Sequence, residues 1–231
     1  MADKTVVPAA IFFDNFAPHY DNLSEKDGWN AHSHVFNAVE RHRMHSPGHR
    51  IHLLDLGIGT GKASAHFRKA VNNIHITGID GSHKMIELCE KQKIANVLIP
   101  RNLNSGIPRE PNEFDIVISA GVMEYLQDSN AFIKEMARVT KPGGLVCFTT
   151  ELAPPSESSR VMGTDGRVHV PLGNDLELCM NIINPNETME TLSREGLILL
   201  EEPEEFTAYR NNKDGDIRCK LFVAQKPEIE M

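Results

Sequence analysis

Between an apolar run ending at Leu56 and a helix-prone stretch from Lys62 stands Asp55-Leu56-Gly57-Ile58-Gly59-Thr60-Gly61. Glycines at every second position of a strand-to-helix turn let backbone approach a ligand closely, and some can take positive φ. Asp80, nineteen positions after Gly61, closes the next apolar run and can accept two hydroxyls as a charge-assisted pair. A phosphate loop of the GxxxxGK[ST] type would need glycine at 56 and Ser or Thr at 63, where Leu56 and Ala63 stand. The dinucleotide fingerprint GxGxxG would need its third glycine at 62, and Lys62 occupies it, although an acidic residue about 20 positions on is shared with that pattern.

The elements around this loop follow from texture. Residues 51–56, 74–79, 96–100, 114–119 and 145–150 are short β-prone runs. Helical stretches intervene: one from Lys62, one capped by Ser82 and reaching about Lys91 with Met85, Ile86 and Cys89 on one face, and one over 129–140. Short strands alternating with helices indicate βαβ units and a parallel sheet. Residues 1–50 are polar and His-rich, with Trp29, Val35, Phe36 and Val39 on one helix face, and Pro47-Gly48 ends the segment. Residues 151–184, with Pro154-Pro155, Gly163, Gly166 and Gly173, read as irregular, and a stretch that long is more often functional than idle. A helix over 185–195 ends at Gly196. Strands over 197–200, 206–210 and 218–224, the last two joined through Asn211-Asn212-Lys213-Asp214-Gly215, predict a hairpin closing the sheet.

The loop Asp55/Gly57/Gly59/Gly61, Gly78-Ile79-Asp80-Gly81-Ser82, the run 114–119 and Arg138-Val139-Thr140-Lys141-Pro142-Gly143-Gly144 stand in one order over about residues 51–150. In that order they resemble the S-adenosylmethionine (SAM)-dependent methyltransferases of class I, in particular the methyltransferase type 11/UbiE-like small-molecule group. The resemblance implies an α/β fold: a Rossmann-like, seven-stranded, mostly parallel sheet with an antiparallel C-terminal hairpin and helices on both faces. It implies one domain over 1–231, with 1–50 as an N-terminal helical cover, 51–150 as the SAM-binding core, 151–184 as a substrate insertion and 185–231 as the C-terminal helix and hairpin. It further implies that Gly57, Gly59, Thr60 and Gly61 approach SAM, that Asp55 orients the loop and helps hold the ligand's ammonium, and that Asp80 with Gly81 meets the ribose. Met85, Asn102 and Leu103 fall near the adenine, where Asn102 replaces the family's usual acidic acceptor and Asn104 is the alternative. Ala120, in Ser119-Ala120-Gly121, falls beneath the ligand.

Phe13-Asp14-Asn15-Phe16-Ala17-Pro18-His19-Tyr20-Asp21 resembles the YDxxAxxYD opening of small-molecule members, including the Williams–Beuren-region methyltransferase-like group, and implies a segment folded over the cofactor with Tyr20 facing its methyl region. Methyl transfer needs placement and exclusion of water, and a base only when the acceptor arrives protonated. The candidates for catalysis are His19, Tyr20 and His169, with His34, Glu151 and Arg160 beside them. His169 has apolar neighbours, so a structural histidine is an equal reading. His42, His45, His49 and His52 straddle Pro47-Gly48, which breaks helical spacing, and they read as surface residues rather than metal ligands. The Asn/Asp-Pro-Pro-Tyr/Phe motif of exocyclic base methylation is missing after the fourth strand.

Composition bounds the rest. A chain of 231 residues with net charge −8 disfavours a phosphate-backbone partner. With the missing base motif, that makes a small-molecule methyl acceptor the expectation, with S-adenosylhomocysteine as co-product. Residues 181–231 hold eleven acidic against six basic side chains, expected to form a solvated face. Four cysteines without metal or CxxC spacing read as buried small hydrophobes in a reducing, cytoplasmic setting. No apolar run reaches the ~18–20 residues of a membrane span, and the opening residues lack a signal peptide's basic region. A monomer or homodimer is expected. The alternative reading is a SAM-binding methyltransferase-like protein with a non-catalytic or non-methylating role.

Overall fold

Side chains alternate along the central strands, and that alternation divides the core in two. In the computed structural model, which describes residues 4–43 and 48–228, Leu54, Leu56, Val146 and Phe148 join one buried cluster, while Leu53, Leu145 and Cys147 join the other. Each cluster fills the space under helices on its own face of the sheet. The structure contains β1 (Thr5–Val6), α1 (Ala9–Lys26), α2 (Ala31–His42), β2 (Ile51–Leu56), α3 (Lys62–Ala70), β3 (Ile74–Asp80), α4 (His83–Gln92) and β4 (Val97–Pro100). There follow β5 (Phe114–Ser119), α5 (Ser129–Val139), β6 (Thr140–Glu151), β7 (Val161–Met162), β8 (Arg167–Gly173), β9 (Leu176–Asn181), α6 (Pro185–Arg194), β10 (Ile198–Leu199), β11 (Glu204–Asn211) and β12 (Gly215–Gln225).

The main sheet runs β10-β12-β6-β5-β2-β3-β4, with β11 also on β12. β2 pairs in parallel with both β3 and β5, and β5 with β6, whereas β12 is antiparallel to β6 and to β11. β10 and β11 share the edge of β12 away from β6, so eight strands occupy seven lanes. This is the Rossmann-like sheet with its closing hairpin. Alanine, valine and phenylalanine on α2 and α3 (Val35, Val39, Phe67) fill one face; Phe132, Ile133, Met136 and Leu192 of α5 and α6 fill the other. Asp128 and Asn184 cap α5 and α6, accepting from Ala131 N (2.9 Å) and Asn186 N (3.0 Å).

Two expectations are corrected. Strand β6 begins at Thr140 rather than 145: between Phe114↔Thr140 and Ile116↔Leu145 its register slips, and Pro142-Gly143-Gly144 forms a bulge instead of a turn outside the sheet. Residues 151–184 are not irregular. They hold a second sheet, β1-β9-β8-β7, in which β1 runs parallel to β9. Asn174 (φ 48°) and Asp175 (φ 56°) both take the left-handed conformation that a two-residue hairpin turn requires, so 167–181 folds back on itself. Pro47 and His45 lie outside the described residues.

No helix among the described residues is long and apolar enough to cross a membrane. The acidic C-terminal run lies at the surface, with Glu202, Glu204 and Glu205 exposed, and three of its carboxylates form surface pairs: Glu201 with Arg41 and His42, Glu204 with His34, and Glu205 with Arg218.

Candidate functional site

The glycine turn leaves β2 at its C-terminal end and enters α3 through Gly61 (φ 92°). Gly57 takes φ 75°, and a Cβ there would collide with Val122, so the close approach of two loops fixes this residue as glycine. Next to the turn, Asp80 ends β3. Its Oδ2 accepts from Gly59 N and its Oδ1 from Ser82 N, each at 2.8 Å. Burial raises the Asp80 carboxyl above the usual range, against the lowering by these backbone donors.

Above them lies a cavity of about 610 Å³. Gly57, Gly59, Asp80 and Gly81 line it from the sheet, and Met85 from α4. Asn102, Leu103 and Ala120 line it from the loops after β4 and β5, and Tyr20 from α1. Nine of the twelve residues expected at the cofactor therefore converge. Asn104 lines it too, and Asn102 and Asn104 each hold one backbone N–H on Oδ1, from Asn104 (3.0 Å) and Gln127 (2.8 Å).

The other three build the loop rather than the wall. Asp55 is 2% exposed, accepts from Ser64 Oγ at 2.7 Å, and is pushed up to about 7 by burial. It faces α3 because β2 alternates: Leu54 and Leu56 point to the opposite core. Thr60 donates to Asp21 (2.8 Å), and Gly61 packs against Cys89 and Ile94.

Helix α1 roofs the cavity. Asp14 and Asp21 are seven residues apart, so both lie on one helix face two turns from each other. Asp14 accepts from Ser82 Oγ (2.6 Å) and Lys84 N (3.0 Å) at the start of α4. Asp21 accepts from Thr60 and approaches Lys62 Nζ (3.5 Å) at the start of α3. The roof is thus fastened at both ends to the turns that shape the cavity. Both aspartates belong to the segment singled out in the sequence, but its resemblance assigned them no role. Arg167, Cys179 and Asn181, from the second sheet, also line the cavity. The sequence marked their segment, 151–184, as a substrate insertion but did not single out these residues, because the hairpin that places them was not foreseen.

A second cavity, of about 250 Å³, shares Phe13, Tyr20, Gly121 and Tyr125 with the first. Glu151 and Arg160 line it, as does Glu124, which the sequence reading passed over. Glu124 is 2% exposed, and its Oε2 is buried without a hydrogen-bond partner. Arg160 is held by Glu151 and by the Tyr209 hydroxyl. Burial, reinforced by the neighbouring Glu151 carboxylate and opposed by Arg160, raises Glu124 well above the usual carboxylate range.

His19 is exposed on α1 and lines neither cavity. His169 lines neither as well: its Nδ1 meets Glu177 Oε1 at 2.7 Å and its Nε2 meets Asp165 Oδ1 at 3.0 Å, and these partners raise it above the usual histidine range. His169, Glu177 and Cys179 come within 4.8 Å of one another through their ligand atoms, and hydrogen bonds between them fill that space. His34 stacks on Phe206 away from both cavities. Of the other histidines, His42 meets Glu201, His49 meets Asp115 (3.3 Å), and His52 lies beside His75.

The turn, strands and cavity fall within a segment that matches a known family. A family profile described as "Methyltransferase domain" covers residues 54–148. That segment is similar to a methyltransferase domain. Over and around that segment the chain is 31% identical to methyltransferase-like protein 27 of Homo sapiens, across 60% of this chain and 56% of that protein. It is 32% identical to the ubiquinone/menaquinone biosynthesis C-methyltransferase UbiE of Geotalea daltonii, across 58% of this chain and 59% of that protein. The chain spans about half the length of such relatives. Among solved structures, the [4+2]-cyclase SpnF superposes with a TM-score of 0.69 at 17% identity, covering 99% of this chain and 100% of that one. The matched segment thus sits in a fold of the same order and extent.

Proposed function

We propose that this chain is a SAM-dependent methyltransferase that transfers a methyl group to an O, N or C nucleophile of a small molecule. The observation that carries the reading is Asp80, a half-buried carboxylate fixed by two backbone N–H groups at the edge of a cavity floored by Gly57 and Gly59. Those residues fit the donor: a Cβ on Gly57 has no room, and each Asp80 oxygen, having accepted one backbone proton, keeps a lone pair for a ribose hydroxyl. When bound, SAM supplies a methyl carbon activated by its sulfonium, so that an acceptor lone pair forms the new bond as the carbon–sulfur pair leaves with sulfur as S-adenosylhomocysteine.

The chain's own residues do the rest. Gly57, Gly59 and Gly81 give the donor close backbone approach, Met85 and Leu103 offer apolar surface to its adenine, and Asn102 or Asn104 accepts from the adenine amino group. Ala120 lies below it. Tyr20, raised to about 12 by burial, stays protonated and stands where both cavities meet, so it positions rather than deprotonates. Asp55, Thr60 and Gly61 act through the loop. Residues 1–50 and 151–184 supply the roof and the acceptor side within one catalytic unit.

The likeness to a [4+2]-cyclase supports keeping the second reading, a SAM-binding protein that does not methylate. Incubation with methyl-labelled SAM and a metabolite extract separates them. Label in a small-molecule product supports methyl transfer; SAM binding with no labelled product favours the second reading.

A further inference from the structure

The smaller cavity gathers an unusual share of the chain's aromatic side chains. All three tyrosines of the sequence (Tyr20, Tyr125, Tyr209) and its single tryptophan, Trp29, line it. Phe12, Phe13 and Phe16 of α1 complete the wall. Faces of such rings attract cations, and attract them more strongly when water is excluded.

The charges in the same cavity are unbalanced. Asp27, Glu124 and Glu151 line it, against Arg160 as the one cationic side chain among its lining residues. Arg160 is already committed, binding Glu151 and the Tyr209 hydroxyl with its terminal nitrogens and approaching Asp214 Oδ2 at 3.5 Å through Nε. Glu124 is left with a buried oxygen, Oε2, that no group among the described residues satisfies. A buried polar atom without a partner is costly, and a ligand that brings a donor there recovers that cost. Glu124 also stands at the right place: it lies in the loop after β5, five residues past Ser119, and its Oε1 lies 3.9 Å from where a Gly121 Cβ would be, at the wall shared by both cavities.

We infer that the smaller cavity is the methyl-acceptor site and that it takes a primary or secondary amine, bound as its ammonium ion between aromatic faces with one N–H donated to Glu124. A neutral alcohol would satisfy the orphaned oxygen and leave the excess negative charge. A carboxylate or phosphate would add to that excess. An ammonium does both tasks. It cannot act as a nucleophile until it loses a proton, and Glu124 is the group placed to take it: one proton moves from nitrogen to the Glu124 carboxylate, and the nitrogen lone pair is freed toward the shared wall. Burial and Glu151, by raising the Glu124 carboxyl, suit it to holding that proton.

This inference rests on the methyltransferase reading above, and the test separates the two. Trp29 is the only tryptophan and lines the cavity, so its fluorescence reports occupancy without turnover. The protein loaded with S-adenosylhomocysteine is titrated with benzylamine, benzyl alcohol and benzoate, three probes of similar shape and different charge. Saturable binding of benzylamine, at least about tenfold tighter than the alcohol and with benzoate weakest, is expected, and Glu124→Gln should weaken benzylamine by about tenfold or more. Equal binding of the three probes, a preference for benzoate, or benzylamine binding unaffected by Glu124→Gln overturns the amine site. The wild-type probe series does not depend on the variant folding. Loading with S-adenosylhomocysteine is measured first by calorimetry: failure there contradicts the methyltransferase reading, whereas loading followed by failed amine selectivity contradicts only the acceptor assignment.

Discussion

Asp80 is a half-buried carboxylate and Glu124 a buried one, and their surroundings set them different tasks. Both are raised by burial, but Asp80 has backbone donors on both oxygens that oppose the rise and, in the proposed reading, leaves a lone pair on each for a ligand's hydroxyls; Glu124 has an unsatisfied oxygen, and the Glu151 carboxylate adds to its affinity for a proton. Asp80→Ala should cost about 1.5–3 kcal/mol of SAM binding by calorimetry, the worth of hydrogen bonds to a charged group. Asp80→Asn, which keeps an acceptor oxygen for only one of Gly59 N and Ser82 N and turns an amide NH2 toward the other, should lose less than the alanine because it can still meet one ribose hydroxyl; equal loss in both would show that one acceptor oxygen is not enough, and no loss in either would remove Asp80 from the site. Glu124 is faced by Glu151, Arg160, Tyr125 and Cys219, and Tyr209 and Asp214 stand against Glu151 and Arg160 behind them. A base must be ionised, so kcat/KM for an amine should rise with pH along a limb near neutrality, well above the ~4.3 of a free glutamate. That limb should vanish in Glu124→Gln, and its survival would assign the titration to Glu151 or to the substrate.

At the scale of elements, the decisive piece is α1. Its two aspartates, two turns apart, clamp the first turns of α3 and α4, so the roof and the glycine turn hold each other. Asp14→Ala with Asp21→Ala should therefore weaken SAM binding and speed hydrogen exchange in α1, leaving α5 protected. Unchanged exchange in α1 would show that packing alone holds the roof. The same elements show what could be read beforehand. Strands β2, β3 and β5 were legible because their apolar runs end at Leu56, Asp80 and Ser119, each with a glycine one or two residues beyond. The β8–β9 hairpin was not, since its turn depends on Asn174 and Asp175 taking positive φ, and prolines and glycines around it hid its two-residue period. For the same reason Arg167, Cys179 and Asn181 could not be foreseen at the first cavity, nor Val170, Leu178 and Met180 at the second. Glu124 lies in a turn rather than in a periodic element; its burial against Glu151 and Arg160 joins segments far apart in sequence, which no local pattern reveals.

For the molecule as a whole, the buried carboxylates make stability depend on pH in a defined direction. Asp55 rises to about 7 in the folded state from 3.8, so between those values the native protein binds more protons than the unfolded chain. Stability should fall as pH rises through that interval, with Asp80 and Glu124 acting in the same sense. Asp14, Asp115 and Asp214 are lowered by their partners and act oppositely, losing their contribution only as pH drops below the usual carboxylate range. In urea unfolding at a series of pH values, Asp55→Asn, which can still accept from Ser64, should flatten the decline between about 4 and 7. An unchanged slope would show that Asp55 is not the source.

All of these expectations converge on one claim, that the cavity between α1 and the glycine turn holds the methyl donor. Calorimetric titration of the intact chain with SAM tests it most directly. Saturable one-to-one heat is the expected result, reduced in Asp80→Ala; no heat with ligand at about millimolar concentration, where binding would be weaker than roughly 4 kcal/mol, would contradict it.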